Sequence, residues 1–124
     1  MIKWLSLYLG SIVGGVSRYL LAGFVYQSLG NGFPYGTLIV NLSGCFLIGI
    51  LNALAESKFL LSPNARILLM VGFCGAFTTF STLILETANL LKDGELIKAF
   101  IYALGSFFLG LLLFFLGQIT AELI

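Results

Sequence analysis

Histidine is absent from this chain and cysteine occurs only twice, so a zinc site of the usual nitrogen and sulfur donors cannot be completed. Cys45 and Cys74 both fall inside long apolar stretches, out of reach of an oxidising compartment, and read as small packing residues. Charge is also scarce: charged residues make up 9% of the chain against 60% hydrophobic. With a mean hydropathy of +1.11, that balance leaves no room for a soluble domain and makes the chain an integral membrane protein. No phosphate-binding loop or cofactor motif occurs, which removes ATP-driven pumping, and nothing marks an enzyme or a nucleic-acid binder. Both prolines, Pro34 and Pro63, fall in joints between apolar stretches.

Those stretches cover residues 4–29, 37–55, 65–91 and 96–119, each long enough to cross a hydrocarbon core of roughly 30 Å. The joints at 30–36, 56–64 and 92–95 carry turn residues. The expectation is one all-α membrane domain of four transmembrane helices over residues 1–124. The first stretch outruns the core of a signal peptide and holds Arg18 in its interior, so it reads as a retained helix. Asn41-Leu42-Ser43 matches a glycosylation sequon, but inside a helix that match is chance.

The third stretch does not read as an ordinary span. Residues 72–82, Gly-Phe-Cys-Gly-Ala-Phe-Thr-Thr-Phe-Ser-Thr, put two glycines and four hydroxyl residues where leucines would serve. Irregular backbone is tolerated at that depth only when buried in protein or lining a wet cavity. The sequence therefore predicts a third helix broken at mid-membrane, with freed carbonyls and hydroxyls facing an ion or a pore.

Charge gives little instruction about orientation. Lys3, Lys58 and Arg66 fall on one side of a four-helix arrangement and Lys92 and Lys98 on the other, with Arg18 too deep to count. An excess of Lys and Arg normally marks the cytoplasmic side, so three against two points to dual topology, with a single orientation decided by one or two charges as the alternative. Four helices can hardly enclose a protected aqueous path, and the cheapest partner is a second copy related by a two-fold axis in the membrane plane.

Gly10 and Gly14 show the small-xxx-small spacing of close helix packing, and Gly105, Gly110 and Gly117 suggest the same. Arg18 is a functional candidate because a charge deep in a span is costly unless paired or wetted; an arginine tied to helix carbonyls is the alternative. Thr37, Asn41 and Asn52 share one face of the second helix, as interhelical glue or as donors to an anion. Glu86 is the sole carboxylate well inside a span, four residues from Thr82. Tyr102, Ser106 and Gly110 share a face of the fourth helix.

Residues 72–82, together with Gly14-Gly15-Val16-Ser17-Arg18-Tyr19 and the run from Gly36 to Phe46, resemble the motifs of the small bacterial fluoride channels, the CrcB or Fluc family. The resemblance implies an antiparallel dual-topology homodimer in the bacterial plasma (inner) membrane. It would pass fluoride down its electrochemical gradient along two anion paths beside a central structural sodium ion. It places Asn41, Phe80, Ser81, Thr82, Tyr102 and Ser106 on the anion pathway, with Arg18, Thr37 and Glu86 at the vestibule. It assigns the sodium to the backbone carbonyls of Gly75 and Thr78. A phenylalanine can offer the positive edge of its ring to an anion. In the family two such rings stand three residues apart, whereas this chain has Leu83 at the second position and Gly110 where a hydroxyl is often found.

Two other classes compete. A small multidrug exporter, also a four-helix antiparallel dimer, needs a carboxylate deep in its first helix, where this chain has Arg18. A non-transporting scaffold would account for the glycines but not for a hydroxyl-rich break.

Overall fold

The computed structural model describes all 124 residues and is entirely helical. Helix α1 (Ile2–Leu29) is followed by α2 (Tyr35–Asn52), which runs on through a π-helical turn, Ala53–Ser57. The third segment opens as α3 (Pro63–Arg66), widens into a π-helical stretch, Ile67–Cys74, and ends as the short α4 (Gly75–Phe77). Helices α5 (Phe80–Lys92) and α6 (Leu96–Leu123) complete the chain. Four segments, Ile2–Leu29, Tyr35–Ser57, Pro63–Lys92 and Leu96–Leu123, are long and apolar enough to cross a membrane. At 1.5 Å per residue, α1 and α6 are roughly 40 Å long, enough to span with some tilt.

Local chemistry sets the ends. Ser62 caps α3 by accepting the Ala65 N–H at 3.2 Å, with Pro63 pre-set at the first helical position. Gly30 leaves α1 with φ 81°, and Gly94 makes the turn between α5 and α6 with φ 76°, both in the region that a side chain disfavours. Arg66 ties the second joint together, donating from Nη2 to the Ala55 carbonyl at 2.7 Å and pairing with Glu56. Lys98 pairs with Glu95 at 2.6 Å and reaches the Gly32 carbonyl at 3.3 Å across the first joint.

The interior is built from small residues, as expected where lipid removes the hydrophobic drive between helices. Helix α1 lies against the π-helical stretch: a Cβ on Gly14 would strike the Phe73 carbonyl, and one on Gly10 would come within 2.9 Å of the Phe73 nitrogen. Helices α2 and α6 cross equally closely, since a Cβ on Gly49 would strike the Phe114 carbonyl and one on Gly117 the Phe46 carbonyl. Gly105 differs from its packing expectation, because a Cβ there meets nothing within 4 Å. Large apolar side chains such as Ile12, Phe24, Phe108 and Leu112 point outward.

Candidate functional site

Helical backbone stops at Phe77 and resumes at Phe80. Between them Thr78 (φ −88°, ψ 158°) and Thr79 (φ −149°, ψ 112°) are extended. Two side chains take over the bonds that the helix gives up. The Thr79 N–H donates to Asn41 Oδ1 at 2.8 Å, and Asn41 Nδ2 donates to the Thr79 carbonyl at 3.0 Å. Thr79 Oγ1 accepts the Thr82 N–H at 3.2 Å, capping α5. In a continuous helix those two N–H groups would serve the carbonyls four residues back, so Gly75 and Thr78 lose their regular donors. The Cys74 carbonyl, in contrast, accepts both the Thr78 N–H at 3.0 Å and the Thr78 hydroxyl at 2.8 Å.

A second cluster joins three elements around Glu86. Thr37 on α2 donates to Glu86 Oε1 at 2.6 Å, and Tyr102 on α6 donates to Oε2 at 2.8 Å. Thr37 and Tyr102 are 5% and 1% exposed, while Glu86 on α5 is half-buried, so two packed hydroxyls hold a carboxylate at the edge of the interior. Phe33 meets Tyr102 edge to face at 5.5 Å, fixing its ring, and the Tyr26 hydroxyl stands 3.5 Å from Thr37 Oγ1. Glu86 and Arg18 form no ion pair; the two salt bridges of the chain are Arg66–Glu56 and Lys98–Glu95.

Two cavities flank the break. One, of about 710 Å³, is lined by Arg18, Tyr26, Thr37, Thr79, Thr82 and Glu86, among others. The second, of about 660 Å³, takes in Asn41, Gly75, Thr78, Thr79, Phe80, Leu83, Ser106 and Gly110. Thr79 lines both. The vestibule candidates Arg18, Thr37 and Glu86 thus share the first cavity with Thr82, while Asn41, Phe80, Ser106, Gly75 and Thr78 share the second. Tyr102 lines neither and is directed at Glu86, and Ser81 is exposed with its Oγ 3.4 Å from Thr79 Oγ1. Phe80 is 74% exposed, standing at the outer edge of the second cavity. Ser106 Oγ is buried and makes no hydrogen bond.

Thr79 and Tyr26 join the site beyond the residues that the sequence singles out. A capping signal for Thr79 was present, a threonine three residues ahead of Thr82 at the restart of an apolar run. Tyr26 gave no such signal, because its approach to Thr37 depends on how α1 meets α2.

Four apolar spans, with a hydroxyl-lined gap in the helical backbone of the third, define a small multi-pass membrane protein. Residues 5–118 match the family described as CrcB-like protein, Camphor Resistance (CrcB), and the chain belongs to that family. It is 52% identical over 114 residues to a protein of Chlorobaculum tepidum, with 92% of this chain and 90% of the relative covered. It is 51% identical over 115 residues to one of Thermus thermophilus, covering 93% and 90%. A third relative, from Chlorobium phaeobacteroides, is 48% identical over 114 residues, covering 92% and 88%. Each of these relatives bears the name fluoride-specific ion channel FluC, an ion channel and not an enzyme.

Proposed function

We propose that this chain is a passive fluoride-selective channel, assembled as an antiparallel homodimer with two anion paths and a structural sodium ion at the dimer axis. The observation that carries the reading is the hydroxyl-lined gap between α4 and α5, which opens onto both cavities through Thr79. About half of the chain's residues are shared with relatives named as fluoride channels.

Fluoride is small and tightly hydrated, so a path must replace its water with hydrogen-bond donors. Thr82 lines the first cavity, and Ser106, with its unpartnered hydroxyl, lines the second. Asn41 keeps one amide proton beyond the bond to Thr79. Thr37 and Tyr102 turn their hydroxyl protons onto Glu86, so they act in this arrangement by fixing that side chain. Arg18, unpaired on the first cavity, supplies positive potential that draws anions toward it. An interior-negative potential then favours outward movement by roughly 2.3 kcal/mol per 100 mV.

The gap sits at mid-membrane in this reading, and it supports a dimer. Gly75, Phe80 and Ser81 are exposed in the protomer, and a Cβ on Gly75 would meet nothing within 4 Å. Backbone carbonyls cannot face lipid, so a second copy covers this surface. The donor set fits sodium: Gly75 and Thr78, expected to hold it, are the residues whose carbonyls lose their helical donors to Asn41 and Thr79. A hard cation binds through such oxygens. Bound there, sodium supplies a fixed positive charge between the two copies.

Expression in a bacterium lacking its own fluoride exporter tests the reading. Cells carrying this chain grow in fluoride that arrests the empty-vector control. Equal arrest, with the protein confirmed in the membrane, refutes the assignment.

A further inference from the structure

Two free thiols line the second cavity, the half-buried Cys45 and the buried Cys74, and the functional reading uses neither. Cys45 follows Asn41 by four residues on α2, and Gly110 follows Ser106 by four on α6, so each pair lies about one turn apart. All four line the same cavity. A Cβ built on Gly110 would approach one atom within 4 Å, the Cys45 sulfur, at 3.2 Å. The missing side chain at Gly110 is therefore the space that Cys45 fills. On the same cavity the Ser106 hydroxyl is buried, 9% exposed at the residue level, and has no partner in the protein. A buried hydroxyl left without a partner is costly unless something polar visits it. The same cavity presents the free thiol of Cys45, itself a weak donor, and no hydrogen bond joins the two.

We propose that Cys45 is a working part of the anion path, a thiol donor acting with Ser106, and that covalent modification of this thiol closes the channel. The proposal rests on the channel reading above. A neutral methanethiosulfonate is the fitting modifier. The Cys45 thiol gives its proton to water and the sulfur attacks the sulfenyl sulfur of the reagent. A disulfide to the methylthio group forms, the sulfur–sulfonyl bond breaks, and methanesulfinate leaves with the electron pair. Dithiothreitol reverses the product. The cavity, about 660 Å³, has room for the added group, which takes up volume on the proposed path.

The test uses purified dimers in liposomes, with Cys74→Ala so that Cys45 is the one remaining thiol. Methyl methanethiosulfonate is the probe, intact mass counts the adducts, and fluoride efflux is read by electrode. The expected result is one methylthio group per chain, loss of most of the fluoride flux, and recovery in dithiothreitol. Cys45→Ala conducts more slowly, by roughly two- to tenfold, the effect of one lost neutral donor, and ignores the reagent. Cys45→Ser restores part of the rate and also ignores it. Full flux from protein whose mass shows the adduct overturns the proposal, and so does protein that conducts but takes up no adduct. Cys74 lines the same cavity, so where Cys74→Ala does not assemble, Cys74→Ser replaces it as the background. Absence of flux before any reagent is added strikes the channel reading itself, which keeps the two failures apart.

Discussion

Asn41 holds both backbone polar groups of Thr79, accepting its N–H at 2.8 Å and donating to its carbonyl at 3.0 Å. One side chain amide thus replaces the helical bonds of the residue at which the third span loses its regularity. Removal of the amide by Asn41→Ala leaves a donor and an acceptor unpaired and costs about 1–3 kcal/mol. The expected outcome is a lower unfolding temperature in detergent together with lower fluoride flux. Asn41→Asp keeps the acceptor and loses the donor, and is expected to fall between the two in stability while conducting no better than Asn41→Ala.

Glu86 accepts from Thr37 at 2.6 Å and from Tyr102 at 2.8 Å, so neither of its oxygens is idle. Glu86→Gln places an amide nitrogen against one of these hydroxyl donors and breaks that bond. Flux is expected to drop about tenfold, the rate equivalent of ~1.4 kcal/mol. Because both hydroxyls act through one carboxylate, Thr37→Ala and Tyr102→Phe should be non-additive when combined. A double-mutant cycle on flux checks this, and simple additivity would count against a shared role.

Gly14 and Gly117 lie where a methyl group would collide with backbone atoms of a facing segment, while Gly15 and Gly23 face open space. Alanine at Gly14 or Gly117 is expected to cost about 1–3 kcal/mol, as overpacking does, because carbonyl groups cannot swing aside like side-chain ends. Alanine at Gly15 or Gly23 is expected to leave the unfolding temperature unchanged or slightly higher, since glycine is the poorer helix former. Thermal unfolding of the four variants in one detergent makes the comparison.

The proposed sodium ion at the Gly75 and Thr78 carbonyls would stabilise whatever state binds it, by mass action. Exchange of sodium for N-methylglucamine is expected to lower the unfolding temperature of the protein and, under the proposed assembly, to raise the monomer fraction. Sodium returned in steps should reverse both along one saturable curve. No dependence on sodium would remove the ion from the account.

Hydropathy was enough to read the four spans, because a segment of eighteen or more apolar residues has few other uses. The ends were less legible. Helix α1 begins at Ile2 where the apolar run suggested residue 4, and α6 continues to Leu123 beyond residue 119, since helical hydrogen bonding extends past the apolar stretch. The π-helical stretch Ile67–Cys74 left no mark in composition; its backbone lies against Gly10 and Gly14, so its form is tied to packing with α1. At the site, the hydroxyls of residues 78–82 announced irregular backbone, and Gly75 and Thr78 could be singled out by resemblance. That Asn41 and Thr79 take the donors from those carbonyls could not be read, because it depends on α2 crossing the third segment at the level of Asn41. Nor could the sequence show that Thr37, Glu86 and Tyr102, spread over three helices, meet as one cluster.

The most direct measurement is fluoride efflux from liposomes holding the purified protein in sodium-containing buffer, followed by electrode and repeated with chloride as the trapped anion. The account expects fast loss of fluoride with chloride retained, despite Leu83 standing where a second phenylalanine would be and Gly110 where a hydroxyl would be. Efflux of both anions at similar rates, or of neither above the level of empty liposomes, would contradict it.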